Sequence, residues 1–307
     1  MKFLLPTKKI RFIISYFLFL PFNLFAQPDT AMQNLKQKIV DELSQQKGTF
    51  AVAFKDISTK KELLINEKEV YHAASTMKTP VMIEVFRQAS KKKFSLNDSI
   101  TLKNEFRSIV DNSSFALDSA DDSEFELYKH LGEKRSIHDL VYQMIIVSSN
   151  FATNLVIEKV DAKNVTQTMR KYGAKDIQVL RGVEDQKAYD KGLNNTTTAY
   201  DLMLIFEKIA RGKAVNKKAC KAMIDILLDQ KFNTIIPAQL PADVTVAHKT
   251  GFITGIHHDS GIVFLPDGRK YVLVLMSKNV EEEDKAIKAM ATVSGMIYQY
   301  VTTLKRK

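Results

Sequence analysis

The strand-forming segments of this chain stand at its two ends, and the helical ones lie between them. A helix pattern over about 31–47 sets Met32, Leu35, Ile39 and Leu43 on one stripe and stops at Gly48. Residues 49–54 (TFAVAF) and 61–66 (KELLIN) then have strand character, separated by a turn-like stretch. Far downstream, residues 243–248 (DVTVAH) alternate, and 261–265 and 271–276 flank Pro-Asp-Gly-Arg, a hairpin turn signal. A last helix carries Ile287, Met290, Ser294, Ile297, Val301 and Leu304 at spacings of three and four. Neither group of strands can cover its own apolar faces, so the two ends must pair into one five-stranded sheet. The fold class expected is therefore α+β. Residues 27–74 plus 236–307 form the sheet domain with its terminal helices, an all-helical domain (75–235) is inserted, and a site lies in the cleft between them.

Within the inserted block, Ser136 and Asp139 make a capping-box pattern ahead of the apolar run 138–147. Residues 152–160 and 201–210 are further amphipathic runs, and 104–126 reads as an exposed insertion. No repeat or Pro/Gly/Ser linker divides the chain.

Residues 1–26 have a pattern of their own. Lys2, Lys8, Lys9 and Arg11 precede an apolar run from Phe12 to Phe25, and Ala26 is small, as in a secretory signal peptide. An uncleaved anchor is the alternative, disfavoured because the run is short of the ~20 residues a spanning helix needs. No cysteine stands near the cut, which excludes a lipoprotein. The expected location is periplasmic or secreted, without membrane attachment after cleavage. Of the formal charge of +10, four units belong to this segment; the remainder holds 41 Lys and Arg against 35 Asp and Glu, a net +6. That is modest for 281 residues and makes no case for nucleic acid. The single cysteine, Cys220, excludes an intramolecular disulfide and a cysteine-based metal site and reads as a buried small hydrophobe.

Ser75 and Lys78 form a Ser-x-x-Lys, a spacing that stacks both side chains on one helix face. Pro80 is tolerable only near a helix start, which puts Ser75 at the first turn, where free N–H groups favour developing negative charge. A neutral lysine there could take the serine proton if burial or another cation lowers its pKa. The same spacing recurs at Ser44/Lys47, Ser58/Lys61 and Ser90/Lys93, so alone it says little. Two further clusters single out Ser75. Ser148-Ser149-Asn150 lies between two apolar helical runs, and His248-Lys249-Thr250-Gly251 ends an alternating strand. The order Ser-x-x-Lys, Ser-x-Asn, Lys-Thr-Gly is far more specific than any part.

With these motifs the chain resembles the penicillin-recognising serine enzymes, and within them the class A β-lactamases. The resemblance covers nearly the whole chain after residue 26. It includes Asn154 after Ser148-Ser-Asn, Asn195-Thr-Thr-Thr-Ala199 at the close of an omega loop, and residues 259–268, similar to the Bacteroidetes-type enzymes. It implies a β-lactamase/transpeptidase-like fold with an antiparallel sheet. Ser75 would be the acylated nucleophile, Lys78 its base and Ser148 a proton relay to the lactam nitrogen. Asn150 would bind the substrate's amide; Lys249 and Thr250 would hold its carboxylate, with Gly251 allowing close approach. The amides of Ser75 and Phe252 would form the oxyanion hole, and Lys249 would help depress the Lys78 pKa. Glu184 would activate the deacylating water. The implied partners are a small β-lactam or a cell-wall peptide, with no cofactor, no metal and a monomeric state.

Several positions depart from the pattern. Lys187 and Ala188 stand where the family has leucine and asparagine, the loop is about two residues short, and Asn195 and Ser149 each replace an aspartate. Glu184 could instead be an exposed loop carboxylate paired with Arg181. Ser149 and the altered loop keep a second reading open, a D-Ala-D-Ala carboxypeptidase or penicillin-binding hydrolase with slow deacylation. His257, His258 and Asp259 invite a metal reading, but adjacent strand residues point to opposite faces. His72 reads as packed rather than catalytic.

Overall fold

The structure, a computed structural model, describes residues 1–4 and 30–304; the expected signal segment lies almost wholly outside the described residues. Five strands, β1 (Thr49–Asp56), β2 (Glu62–Ile65), β3 (Thr245–Ile253), β4 (Ile256–Phe264) and β5 (Lys270–Lys278), form one sheet in the order β2-β1-β5-β4-β3. Every neighbour is antiparallel. The two ends of the chain meet where β1 pairs with β5, from Thr49 opposite Lys278 to Asp56 opposite Tyr271. The helices are α1 (Thr30–Ser44), α2 (Lys78–Ser90), α3 (Ile137–Ile146), α4 (Asn150–Val160), α5 (Ala162–Lys171), α6 (Gln186–Asp190), α7 (Ala199–Ala210), α8 (Lys217–Leu228) and α9 (Glu283–Thr303).

The period of two along each strand sorts side chains between two cores. Phe50, Val52 and Phe54 of β1 and Tyr271, Leu273 and Leu275 of β5 face the terminal helices, meeting Leu35, Ile39 and Leu43 of α1 and Met290, Val293, Ile297 and Val301 of α9. Ala51 and Ala53 of β1 and Val272, Val274 and Met276 of β5 face the inserted helices, where α7 lies across the sheet. Small alanines on that face let a helix approach closely, while burying an aromatic such as Phe54 on the other contributes roughly 1.5–3 kcal/mol. Sheet faces buried on both sides explain why β1 and β5 read as apolar runs rather than alternating ones.

The structure differs from expectation in three places. The α1 helix ends at Ser44, short of 47, in a turn. The strand expected over 261–265 is the last half of the nine-residue β4, whose first half is polar yet buried, so that apolar patterning conceals it. Segment 104–126 is anchored rather than simply exposed: Phe106 and Leu117 are buried in the core, and residues 106–107 pair with 114–115. The Ser136 cap is as expected, its Oγ accepting from the Asp139 amide at 3.1 Å. None of the described helices is long and apolar enough to cross a membrane.

Candidate active site

Ser75 lies in a 3-10 turn, Ala74–Met77, that runs directly into α2, whose first residue is Lys78. Pro80 falls in the first turn of α2, where a missing N–H costs nothing. The turn is held from several sides. The Ala73 amide donates to the Asn195 carbonyl (2.8 Å), and the Ala74 amide donates to His72 Nδ1 (3.0 Å). Ala74 itself adopts φ +43°, a costly conformation for alanine that these bonds sustain. Beneath it, His258 Nε2 donates to the His72 carbonyl (2.9 Å). Burial lowers the His258 pKa to about 4, so the ring is neutral and can serve as that single-proton strut. His72 is thus half-buried beside Ser75, and it fixes the turn instead of merely packing.

Ser148 joins α3 to α4 with φ +61°, again left-handed. This turns both of its oxygens toward the lysines. Lys78 Nζ donates to the Ser148 carbonyl (2.6 Å), to Ser148 Oγ (3.2 Å) and to Asn150 Oδ1 (2.9 Å). Lys249 Nζ donates to the same Ser148 Oγ at 3.1 Å and to the Thr250 carbonyl at 2.8 Å. Lys249, Thr250 and Gly251 run along β3, the edge strand of the sheet. A Cβ built on Gly251 would lie 3.1–3.2 Å from the amides of Ser75 and Thr76, so glycine there lets the strand pass tight against the Ser75 turn.

Glu184 reaches the site from the other side. It has φ +60° and accepts from Asn150 Nδ2 at 3.2 Å. Asn150 therefore bridges Lys78 and Glu184 with its two amide atoms. Arg181 does not bond Glu184: its guanidinium donates to the Leu193 and Gly182 carbonyls and to Asn194 Oδ1. The loop neck closes through amides. Asn195 Oδ1 accepts from the Leu180 amide (2.8 Å) and its Nδ2 donates to the Arg181 carbonyl (3.0 Å). Asn154 clasps Val183 by both its amide and its carbonyl, and Gly182 packs so closely on Asn154 that no Cβ would fit. Asp185, next to Glu184, accepts from Ser108 Oγ and the Ile109 amide, both at 2.9 Å.

Two clefts meet at Ser75. One, of about 310 Å³, is lined by His72, Asn150, Glu184, Tyr189 and Phe252. The other, of about 540 Å³, is lined by Ser148, Thr250, Gly251, Phe232 and His257. Lys78 and Lys249 lie fully buried behind them. Burial pushes the Lys78 pKa down to about 7, against the opposing pull of Asp122 and Glu184. Lys249 is driven well below the usual lysine range, first by burial and then by the Lys78 charge. The expected repulsion between the two lysines thus acts on Lys249, while desolvation is what depresses Lys78.

All the residues singled out by the sequence, Ser75, Lys78, Ser148, Asn150, Glu184, Lys249, Thr250, Gly251 and Phe252, converge here. The His257–Asp259 run does not gather its side chains: His257 stacks on Phe252, His258 supports His72, and Asp259 bonds the buried His248 (2.8 Å). Sequence reasoning missed Asp122, which accepts from the amides of Asn150 (2.9 Å) and Phe151 (2.8 Å). No motif marks it, because the groups that tie it to Asn150 and Phe151 are backbone amides nearly thirty residues away.

Two buried lysines on one serine hydroxyl, beside a half-buried serine at the turn that opens α2, form an arrangement suited to a serine hydrolase. The chain matches the Beta-lactamase2 model, the β-lactamase enzyme family, over residues 34–301, and it belongs to that family. It is 24% identical over 291 residues to the extended-spectrum β-lactamase PER-1 of Pseudomonas aeruginosa, covering 90% of this chain and 91% of that one. Among solved structures, a β-lactamase from Sphaerobacter thermophilus is similar at a TM-score of 0.76 and 23% identity, over 89% of this chain and 99% of its own. The structure titled PBP-A is similar at a TM-score of 0.75 and 25% identity, over 88% and 97%.

Proposed function

We propose that this protein is a secreted, periplasmic serine β-lactamase of class A, of the Bacteroidetes-type branch, working as a monomer without a cofactor. The observation that carries the reading is the shared bonding of Lys78 and Lys249 to Ser148 Oγ at the mouth of the Ser75 turn. Neutral Lys78 takes the Ser75 proton, and Ser75 Oγ forms an ester with the lactam carbonyl carbon as the carbon–nitrogen bond breaks. The amides of Ser75 and Phe252 stabilise the oxyanion. Ser148 hands its proton to the departing nitrogen and is reprotonated from the lysine pair. Asn150 receives the acylamino side chain, and Lys249 with Thr250 receives the substrate carboxylate, a counter-charge that favours protonated Lys249. Glu184 then takes a proton from a water that attacks the ester, and Ser75 departs with its proton restored. The test is nitrocefin turnover by the purified protein and its loss in Ser75→Ala; no turnover of any β-lactam would end the reading.

A second reading is supported by Ser149, by the amide-closed loop and by the likeness to PBP-A: a penicillin-binding D-Ala-D-Ala carboxypeptidase of the cell wall. It differs in one measurable respect. Fluorescent penicillin would label Ser75 and stay, and D-Ala would be released from a pentapeptide; rapid loss of the label favours the β-lactamase.

A further inference from the structure

The segment 104–126 brings a carboxylate to the catalytic centre that no motif predicts. Asp122 meets five donors: the amides of Asn150 and Phe151, the nearby Glu124 amide (3.2 Å), the Tyr128 hydroxyl (2.9 Å) and, at longer range, Ser149 Oγ (3.4 Å). Five donors and no acceptor are what an acceptor-only carboxylate fits. Burial, followed by the charge of Asp122, raises the Tyr128 hydroxyl above its ordinary range, so it stays a donor. The amides belong to the first turn of α4, whose next free amide, that of Ala152, is capped by Ser149 Oγ at 3.1 Å. A carboxylate at a helix N-terminus also meets the positive end of the dipole. The same turn carries Asn150, and the preceding residue is Ser148 in its left-handed conformation.

We propose that Asp122 is a positioning residue for acylation. Its carboxylate takes the place of the aspartate that Ser149 replaces in the motif, fixing the Ser148–Asn150 turn against the two lysines and standing as a counter-charge to Lys78. The inference rests on the serine-hydrolase reading for its catalytic consequence. Its electrostatic part stands apart from turnover. The charged groups facing Lys78 are Lys249 from β3, with Asp259 behind it, Glu184 from the loop and Asp122 from the 104–126 segment. Glu84, on the same helix as Lys78, is fully engaged with Arg87, Gln88 and Thr168.

Asp122→Asn keeps the size of the side chain but removes the charge and turns one acceptor into a donor facing backbone N–H groups. Acylation of Ser75 by a chromogenic cephalosporin should fall at least ~10-fold, the scale of losing a charged hydrogen bond. The acid limb of its pH profile should also move to lower pH, since Lys78 loses a counter-charge. A ¹³C-lysine NMR titration should show the same downward movement of Lys78 without any substrate. The double variant Asp122→Ser with Ser149→Asp returns a carboxylate from the motif position, where aspartate caps a helix as well as serine does, and should restore both rate and titration. A fall in rate with an unmoved Lys78 titration would reduce Asp122 to a fold-stabilising cap and overturn the proposal, and so would failure of the double variant to restore the titration. Should the wild-type protein show no acylation at all, the hydrolase reading fails, and the NMR titration still decides whether Asp122 is the counter-charge.

Discussion

Lys78, from helix α2, and Lys249, from strand β3, share one hydroxyl, Ser148 Oγ, at 3.2 and 3.1 Å. Desolvation in that fully buried space disfavours the charged form of each, and the Lys78 charge adds to it at Lys249. Their pKa values move down together, and Lys78 arrives near neutrality. A lysine half-deprotonated at physiological pH is suited to take a proton from serine and to return one.

The acylation rate should therefore rise with pH through about 7 and level off above it. Lys78→Arg, which cannot deprotonate, should lower acylation by ~10²–10⁴-fold, the usual worth of a general base. Stopped-flow acylation across pH 5–9 checks both. Stability carries the same signature. An exposed lysine in the unfolded chain titrates near ~10.4, so between about 7 and that value the folded chain binds fewer protons than the unfolded one. The contribution of Lys78 to stability then weakens as pH falls from 10 to 7 and is constant below. Urea titrations of Lys78→Met should show a shallower dependence over that interval.

Glu184→Gln should leave acylation within a few-fold and slow deacylation by at least ~10²-fold, as expected when a general base is lost. Intact-mass measurement would show the acyl-enzyme accumulate over minutes. Unchanged deacylation would assign Glu184 to the loop surface and move the water-activating role elsewhere.

Gly182→Ala tests the loop. Its new Cβ would fall 2.2 Å from Asn154 Oδ1, so the clasp of Asn154 on Val183 must open and Glu184 must shift. Deacylation should slow markedly while acylation is nearly unchanged. Asn195→Ala removes bonds to the Leu180 and Arg181 backbone and should lower the thermal midpoint, at roughly 1–3 kcal/mol for each buried group left unsatisfied. Pre-steady-state kinetics with thermal unfolding separates the two effects.

Much of this was legible in the sequence because side-chain type and spacing carried it. Strand composition at both ends gave the sheet, Pro80 placed Ser75 at a helix start, and three ordered motifs named residues that meet in one cleft. What escaped has a common physical cause. Asp122 and Asp185 act by bonding backbone amides of other segments and His72 by bonding one two residues on, and an amide has no residue identity to match. The first half of β4 escaped because His257, His258 and Asp259 are buried by specific partners, so their polarity conceals a core strand. The balance behind the Lys78 shift escaped for a related reason: burial and a neighbouring cation could each lower it, and the sequence does not show the depth of burial that makes desolvation the larger cause.

The central claim is that Ser75 is the nucleophile of a lysine-assisted acyl transfer. It is tested most directly by digesting the protein after brief exposure to benzylpenicillin and locating the adduct by mass spectrometry. The account predicts a penicilloyl group on the peptide holding Ser75, absent in Ser75→Ala and persistent in Glu184→Gln. An adduct on any other residue, or none in either the wild-type or the Glu184→Gln protein, would contradict it.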